Sequence, residues 1–186
     1  MISQQELDAM RRIKQEYIDL SNNPNPNTGV TVGIPDEDDI FKWRVTLSGP
    51  KDSSYKGGIF ILSIHFPKDY PNSAPEVRFK TPIYHLNINP NISYMSGAEP
   101  LGHVCISNLN WWKPEYTIKE IITNIYGLFY MANPDSPYGL NRSQEYKYNR
   151  PLYESKIKFF TKKYADPRYC NIDKDYYESW DFSYNN

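Results

Sequence analysis

Near the start of the chain, apolar residues recur at intervals of three and four: Leu7, Met10, Ile13, Tyr17 and Leu20. That spacing draws one stripe along an α-helix. Residues 21–29, rich in Asn and Pro, break the pattern. Farther on the period drops to two. Phe41, Trp43, Val45 and Leu47 alternate with Lys42, Arg44 and Thr46, which predicts a strand with one dry face. Residues 57–66 are apolar at nearly every position, as a central strand covered on both sides would be, and residues 76–80 alternate again. Short turns bearing Gly and Pro separate these runs, so an antiparallel meander is the economical topology. Ile118, Ile121, Ile122, Ile125, Leu128 and Phe129 then predict a helix with a wide apolar face. Thr117 and Glu120 are spaced as a capping box at its start, and Pro134 and Pro137 end it. Residues 151–164 form a last amphipathic helix, with Pro151 at a permitted first-turn position. A helix, a meander and further helices make an α+β protein.

Composition narrows this picture without changing it. A chain of 186 residues can bury one proper core without covalent staples. A net charge of -1 gives no global pull toward nucleic acid, so a protein partner or substrate is the simpler expectation. The two cysteines, Cys105 and Cys170, do not make a disulfide framework, which suggests a reducing cytosol or nucleus. The N-terminus lacks the apolar core of a signal peptide, and no apolar run approaches a membrane span, so no membrane association is expected.

Candidate chemistry concentrates in residues 84–114. Tyr84-His85-Leu86-Asn87 leads into an irregular polar loop, then His103-Val104-Cys105-Ile106-Ser107, then Trp111-Trp112-Lys113-Pro114. A lone thiol in a short apolar run beyond such a loop is a candidate covalent nucleophile. The same residue also fits a small buried core hydrophobe.

These motifs resemble the active-site region of ubiquitin-conjugating (E2) enzymes. The likeness extends to Phe41-Lys42-Trp43, Ser48-Gly49-Pro50, Tyr55-Lys56-Gly57-Gly58-Ile59-Phe60 and His65-Phe66-Pro67-Lys68-Asp69-Tyr70-Pro71. Ala74-Pro75-Glu76-Val77 and Asn133-Pro134-Asp135-Ser136-Pro137 follow in the family's order. The resemblance implies a UBC-like fold: an N-terminal helix, a four-stranded antiparallel meander and C-terminal helices. It implies a catalytic domain over residues 1–165, with a C-terminal extension over 166–186. It also implies a reaction. Cys105 would take the C-terminal glycyl carbonyl of ubiquitin, or of a ubiquitin-like protein, from an activating enzyme (E1) as a thioester. A substrate lysine would then attack that carbonyl, usually with a ligase (E3). The thioester is already activated, so no metal or cofactor is expected.

Site roles follow from the same likeness. Asn87 would donate to the oxyanion of the tetrahedral intermediate or brace the loop that holds Cys105. His85 would be a structural neighbour of Asn87 rather than a base. His103, two residues before Cys105, should project to the thiol's side of an extended chain and could activate it. Ser136 stands where many members carry Asp. A serine cannot accept a proton at neutral pH, so the adjacent Asp135 could substitute. Tyr84 and Tyr138 are the aromatic neighbours expected near the site. Contacts with E1 and E3 are expected at Arg11 and Arg12 on the first helix, at Pro71 and Asn72, and at Lys113, Pro114 and Glu115.

Several features depart from the family pattern. Leu86 replaces the usual proline and should loosen the backbone between His85 and Asn87. The segment before Cys105 holds about ten extra residues, placed within 90–102. Asn72 stands where a large aromatic serves certain ligases, and Glu115 where a small residue is common. In residues 166–186, five carboxylates against two cations give a net charge of -3, alongside Tyr176, Tyr177, Trp180, Phe182 and Tyr184. That is too aromatic for an ordinary disordered tail, so packing on the enzyme's own helices is expected. Two other functions fit the residues: an E2-fold module that binds ubiquitin or a ligase with little turnover, and a cysteine hydrolase using a Cys-His pair.

Overall fold

Ser3 starts the first helix by accepting a hydrogen bond on its hydroxyl from the Glu6 amide, and α1 runs over Gln4–Asn22. A computed structural model describes residues 2–23, 29–34, 39–89 and 102–169. The buried side chains of α1 are Ala9, Ile13, Glu16 and Leu20, while Met10 and Tyr17 are half-buried and Leu7 is exposed. The stripe thus sits slightly off the one drawn from apolar residues. Its axis passes through Glu16, a buried carboxylate that a hydropathy pattern counts as polar.

Four strands follow, β1 (Thr31–Gly33), β2 (Lys42–Ser48), β3 (Ile59–His65) and β4 (Glu76–Phe79). They pair antiparallel in chain order, which is the expected meander. Trp43 pairs with Ile64, Val45 with Leu62 and Leu47 with Phe60, so the large side chains of β2 and β3 share one face. Val77 and Phe79 of β4 extend that face. The outer face of β3 is only partly covered: Ile61 is buried, but Ser63 is half-buried and His65 exposed. Apolar Ile59 and Ile61 at outward positions had hidden a period of two.

The helices lie beyond the sheet: α2 (Ser107–Asn110), α3 (Ile118–Leu128), α4 (Leu140–Tyr148) and α5 (Arg150–Tyr164). The capping box at α3 is complete, with Thr117 Oγ1 accepting from Glu120 N and Glu120 Oε2 accepting from Thr117 N. Ile118, Ile121, Ile122, Ile125 and Tyr126 are buried, and Phe129 closes on Tyr55 and Phe60 at ring separations of 4.9 and 5.1 Å. The helix stops at Leu128, ahead of Pro134. In α5, Asn149 caps the first turn, Pro151 sits within it, and Tyr153, Ile157, Phe160, Thr161 and Tyr164 face inward.

The helix α4 carries no apolar stripe; Ser143 is its one buried residue. Polar contacts and the packing of Tyr146 against Tyr153 hold it. Arg142 Nη1 donates to His85 O at 3.0 Å, and Glu145 accepts from Tyr84 Oη and Lys156 Nζ at 2.6 Å each. No helix among the described residues is long and apolar enough to cross a membrane. Cys170 and most of the aromatic extension lie outside the described residues, as does nearly all of the segment 90–102, where an insertion was expected.

Candidate active site

The chain leaves β4 into a segment that is buried from Ile83 to Asn89. A buried irregular segment must find a partner for each backbone group. Tyr84 O accepts from Tyr55 Oη at 2.9 Å, Leu86 O accepts from Tyr138 N at 2.6 Å, and Leu86 N donates to Tyr153 Oη at 3.0 Å. Leu86 was expected to loosen this stretch. Instead its amide proton, which a proline would lack, ties the backbone to α5, and its fully buried side chain packs in the core. Hydrogen bonding and burial replace the rigidity of a proline ring.

Asn87 is also fully buried. Its Nδ2 donates to Asn133 O at 2.7 Å and to Ser136 O at 2.8 Å, and its Oδ1 accepts from Asn133 N at 2.7 Å. Both amide protons are therefore engaged, and the side chain clamps the 133–136 loop. Of the two expected roles, the geometry is that of a brace.

The thiol strand is docked on this scaffold. Cys105 N donates to Asn87 O at 2.9 Å. Asn89 N donates to His103 O, and Gly102 N to Asn89 O, both at 2.9 Å. Phe79 N donates to Gly102 O at 2.8 Å. Gly102 has φ +76°, and a Cβ there would lie 2.0 Å from Phe79 O, so glycine is required on two grounds. Asn89 and Gly102, the described residues on either side of 90–101, are thus clasped to each other.

Cys105 is half-buried. Its Sγ lies 3.0 Å from Ser136 Oγ and 3.4 Å from Asn110 Nδ2. Asn110 ends α2, the short helical turn that begins two residues after the thiol. It was not singled out in the sequence. The signal was a polar side chain about one helical turn beyond the nucleophile, inside the Cys-to-Trp interval. A core hydrophobe would be buried, whereas Cys105 is partly exposed.

The histidines do not make a Cys-His pair. His85 is 1 % exposed; its Nδ1 accepts from Asn87 N at 3.0 Å, so Nε2 donates to Leu128 O at 3.0 Å. Burial lowers its pKa to about 4 and keeps it neutral, and the Arg142 charge acts in the same direction. His103 was expected to face the thiol, but its Nδ1 lies 2.7 Å from Tyr138 Oη. Among the described residues the hydrogen-bond partners of Sγ are Ser136 and Asn110.

Two further neighbours are displaced from expectation. Tyr84 is buried between α4 and α5, hydrogen-bonded to Glu145 and packed against Tyr153 and Phe160, and does not reach the thiol. Burial and the Glu145 carboxylate push its phenol well above the usual range. Asp135 is exposed, and its amide donates to Asn133 Oδ1 at 3.0 Å in a local turn. No hydrogen bond among the described residues links its carboxylate to Cys105. Nor do three His, Cys, Asp or Glu side chains among those residues converge as they would on a metal ion.

The residues expected to contact E1 and E3 gather around one junction. Glu16 Oε1 accepts from Arg12 Nε at 2.6 Å and from Tyr70 Oη at 2.7 Å, while Oε2 accepts from Ile118 N at 2.6 Å. Arg12 Nη2 reaches Tyr116 O at 3.0 Å, and Trp112 Nε1 donates to Pro71 O at 2.7 Å. One buried carboxylate therefore joins α1, the turn before Pro71 and the first turn of α3, where the helix dipole favours a negative charge. Asn72, Lys113, Pro114 and Glu115 are exposed around this junction and Pro71 half-buried. Arg11 is exposed and paired with Asp8 at 2.9 Å, whereas Arg12 is a structural tie.

The sequence that folds in this way has a counterpart among known families. The family described as ubiquitin-conjugating enzyme matches residues 12–161, most of the chain and all of the candidate site. The chain belongs to the ubiquitin-conjugating enzyme family.

Proposed function

We propose that the protein is an active E2. It accepts ubiquitin from E1 as a thioester on Cys105 and passes it to a substrate lysine, usually with an E3. The supporting observation is the half-buried Cys105 Sγ, held at hydrogen-bond range of Ser136 and Asn110 on a backbone tied to Asn87. In loading, the thiolate attacks the E1-linked glycyl carbonyl, a C–S bond forms, and the E1 thiolate leaves. In discharge, a neutral lysine amine attacks the same carbonyl and Sγ leaves with its electron pair. The ammonium proton of the intermediate passes to solvent, since a hydroxyl such as Ser136 cannot take it at neutral pH.

The surface around the Glu16 junction suits E1 and E3, with Arg11, Asn72, Lys113, Pro114 and Glu115 exposed on it. Arg12 and Pro71 shape the surface from beneath. A free catalytic thiol suits a reducing compartment, the cytoplasm or nucleus. Incubation with E1, ubiquitin and ATP tests the reading on a non-reducing gel. A reductant-sensitive band one ubiquitin heavier is expected. Cys105→Ser should instead give a slow, reductant-stable oxyester, and Cys170→Ser should load normally. Loss of loading from the Cys170 change alone would falsify the choice of nucleophile.

A further inference from the structure

We propose that the cleft between the turn at residues 51–57 and the end of α5 binds a small phosphate-bearing anion. The inference is independent of the chemistry at Cys105. The cleft has a volume of about 300 Å³, the scale of a small-molecule site. Three lysines line it: Lys56 from the turn, and Lys158 and Lys162 one helical turn apart on α5. All three are exposed. The ion pairs that α5 makes among the described residues, Arg150 with Glu154 and Lys156 with Glu145, use neither of its two lysines here.

A buried hydroxyl at the same cleft also calls for a ligand. Thr161 lies between the two lysines of α5 and lines the cleft with them. It is 6 % exposed, and its Oγ1 has no hydrogen-bond partner among the described residues. A helical threonine commonly donates to the carbonyl four residues back, but this one does not. Its methyl branch faces the sheet, since a Cβ at Gly58 would lie 2.7 Å from Thr161 Cγ2. The hydroxyl is the other branch. A buried donor left unmade is costly, and an anion oxygen seated among the lysines would accept its proton.

The opposing charges are small. Asp166 also lines the cleft, but Arg168 holds its carboxylate through Nε at 3.0 Å and Nη2 at 2.6 Å. The C-terminal end of α5 contributes about half a negative charge, which offsets part of one lysine. The walls are fixed before any ligand arrives. Ile59 N donates to Ala165 O at 2.8 Å, stapling the start of β3 to the end of α5, and Gly49 N donates to Gly58 O at 2.8 Å. Each ammonium offers three protons and no acceptor, and the hydroxyl offers one more. A phosphate group answers that set with three strong acceptor oxygens around one centre and nearly two charges. A carboxylate brings two oxygens in one plane and one charge. Lysine meets a phosphate as a point charge, without the planar fork that arginine gives a carboxylate.

The test is calorimetric titration of the full chain with inorganic pyrophosphate, at fixed ionic strength and without E1 or ATP. Saturable binding at one site is expected. Lys158→Ala and Lys162→Ala should each weaken it about ten- to a hundredfold, the range for a hydrogen bond to a charged group. Lys119→Ala, exposed on α3, should bind as the parent does. Thr161→Val should weaken binding about tenfold. Its ligand-free melting temperature should not fall, since the hydroxyl it removes has no partner. Saturating pyrophosphate should raise the melting temperature of the parent. Citrate, whose charges sit on planar carboxylates, should bind at least about tenfold more weakly. No binding, equal affinity for citrate, or α5 lysine variants that bind like the parent would each overturn the proposal. So would binding to vesicles that carry a phosphoinositide without binding to pyrophosphate, since a membrane surface would then be the ligand. The titration needs neither E1 nor ubiquitin, so its failure leaves the E2 reading untouched, and a parent that forms no thioester leaves this proposal standing.

Discussion

The Leu86 amide donates to the Tyr153 hydroxyl at 3.0 Å, linking the segment before Asn87 to the first half of α5. Both residues are at most 2 % exposed, so neither group has water as an alternative partner. Tyr153→Phe should cost about 1–3 kcal/mol in urea denaturation, the penalty for orphaning a buried donor. Leu86→Pro removes the other half of the bond. It should cost markedly less in the Tyr153→Phe background than alone. Strict additivity in this double-mutant cycle would show that the hydrogen bond does not hold the loop.

Asn87→Ala removes three hydrogen bonds to the 133–136 loop. We expect stability to fall by about 2 kcal/mol and loading and discharge to fall together, because Ser136 loses its support. Thermal melts and both single-turnover rates check this. An unchanged melting temperature with a selective loss of discharge would show that Asn87 serves the oxyanion rather than the loop.

His85 makes stability pH-dependent. Its folded pKa, about 4, lies below the unfolded value of about 6.5, so the unfolded chain takes up a proton first. The contribution is complete above about pH 6.5 and is lost progressively as pH falls toward 4. Between pH 7 and 5 the loss should be about 2 kcal/mol, the integral of one proton over that window. Urea curves at the two pH values should show a smaller difference for His85→Gln than for the parent. Equal differences would mean that folding does not depress the His85 pKa.

Arg11 and Arg12 should separate. Arg12→Ala is expected to lower the melting temperature, since it unpairs the buried Glu16 and frees Tyr116 O. Arg11→Ala removes one exposed pair, worth under about 1 kcal/mol, and should leave melting unchanged. Any loss of E1-dependent loading from Arg11→Ala then reports on recognition. If Arg12→Ala melts like the parent, the Glu16 junction is not a structural tie.

The parts legible in the sequence were those governed by hydropathy and capping. The period of two in β2 and the Thr117–Glu120 box predicted a strand and a helix start that the fold contains. Motif order pointed to Asn87 and Cys105, and the fold joins the two through their backbones. Elements held by polar contacts were not legible. The helix α4 depends on Arg142 and Glu145, the junction on Glu16 and the loop on Leu86 N, and none of these leaves a period. Side-chain direction was equally opaque. Tyr84 and His103 are near the thiol in sequence, but Tyr84 bonds to Glu145 and His103 to Tyr138.

The clasp between Asn89 and Gly102 decouples length from placement. Twelve residues, 90–101, are strung between two positions that hydrogen-bond each other directly. In general, the entropy of closing a loop grows only with the logarithm of its length, about 0.6 kcal/mol for each doubling. The chain is closed at that pair, three residues ahead of the nucleophile. This point of the chain can therefore accept new residues, and with them new surface chemistry beside the thiol, while the register of Cys105 against Asn87 stays as it is.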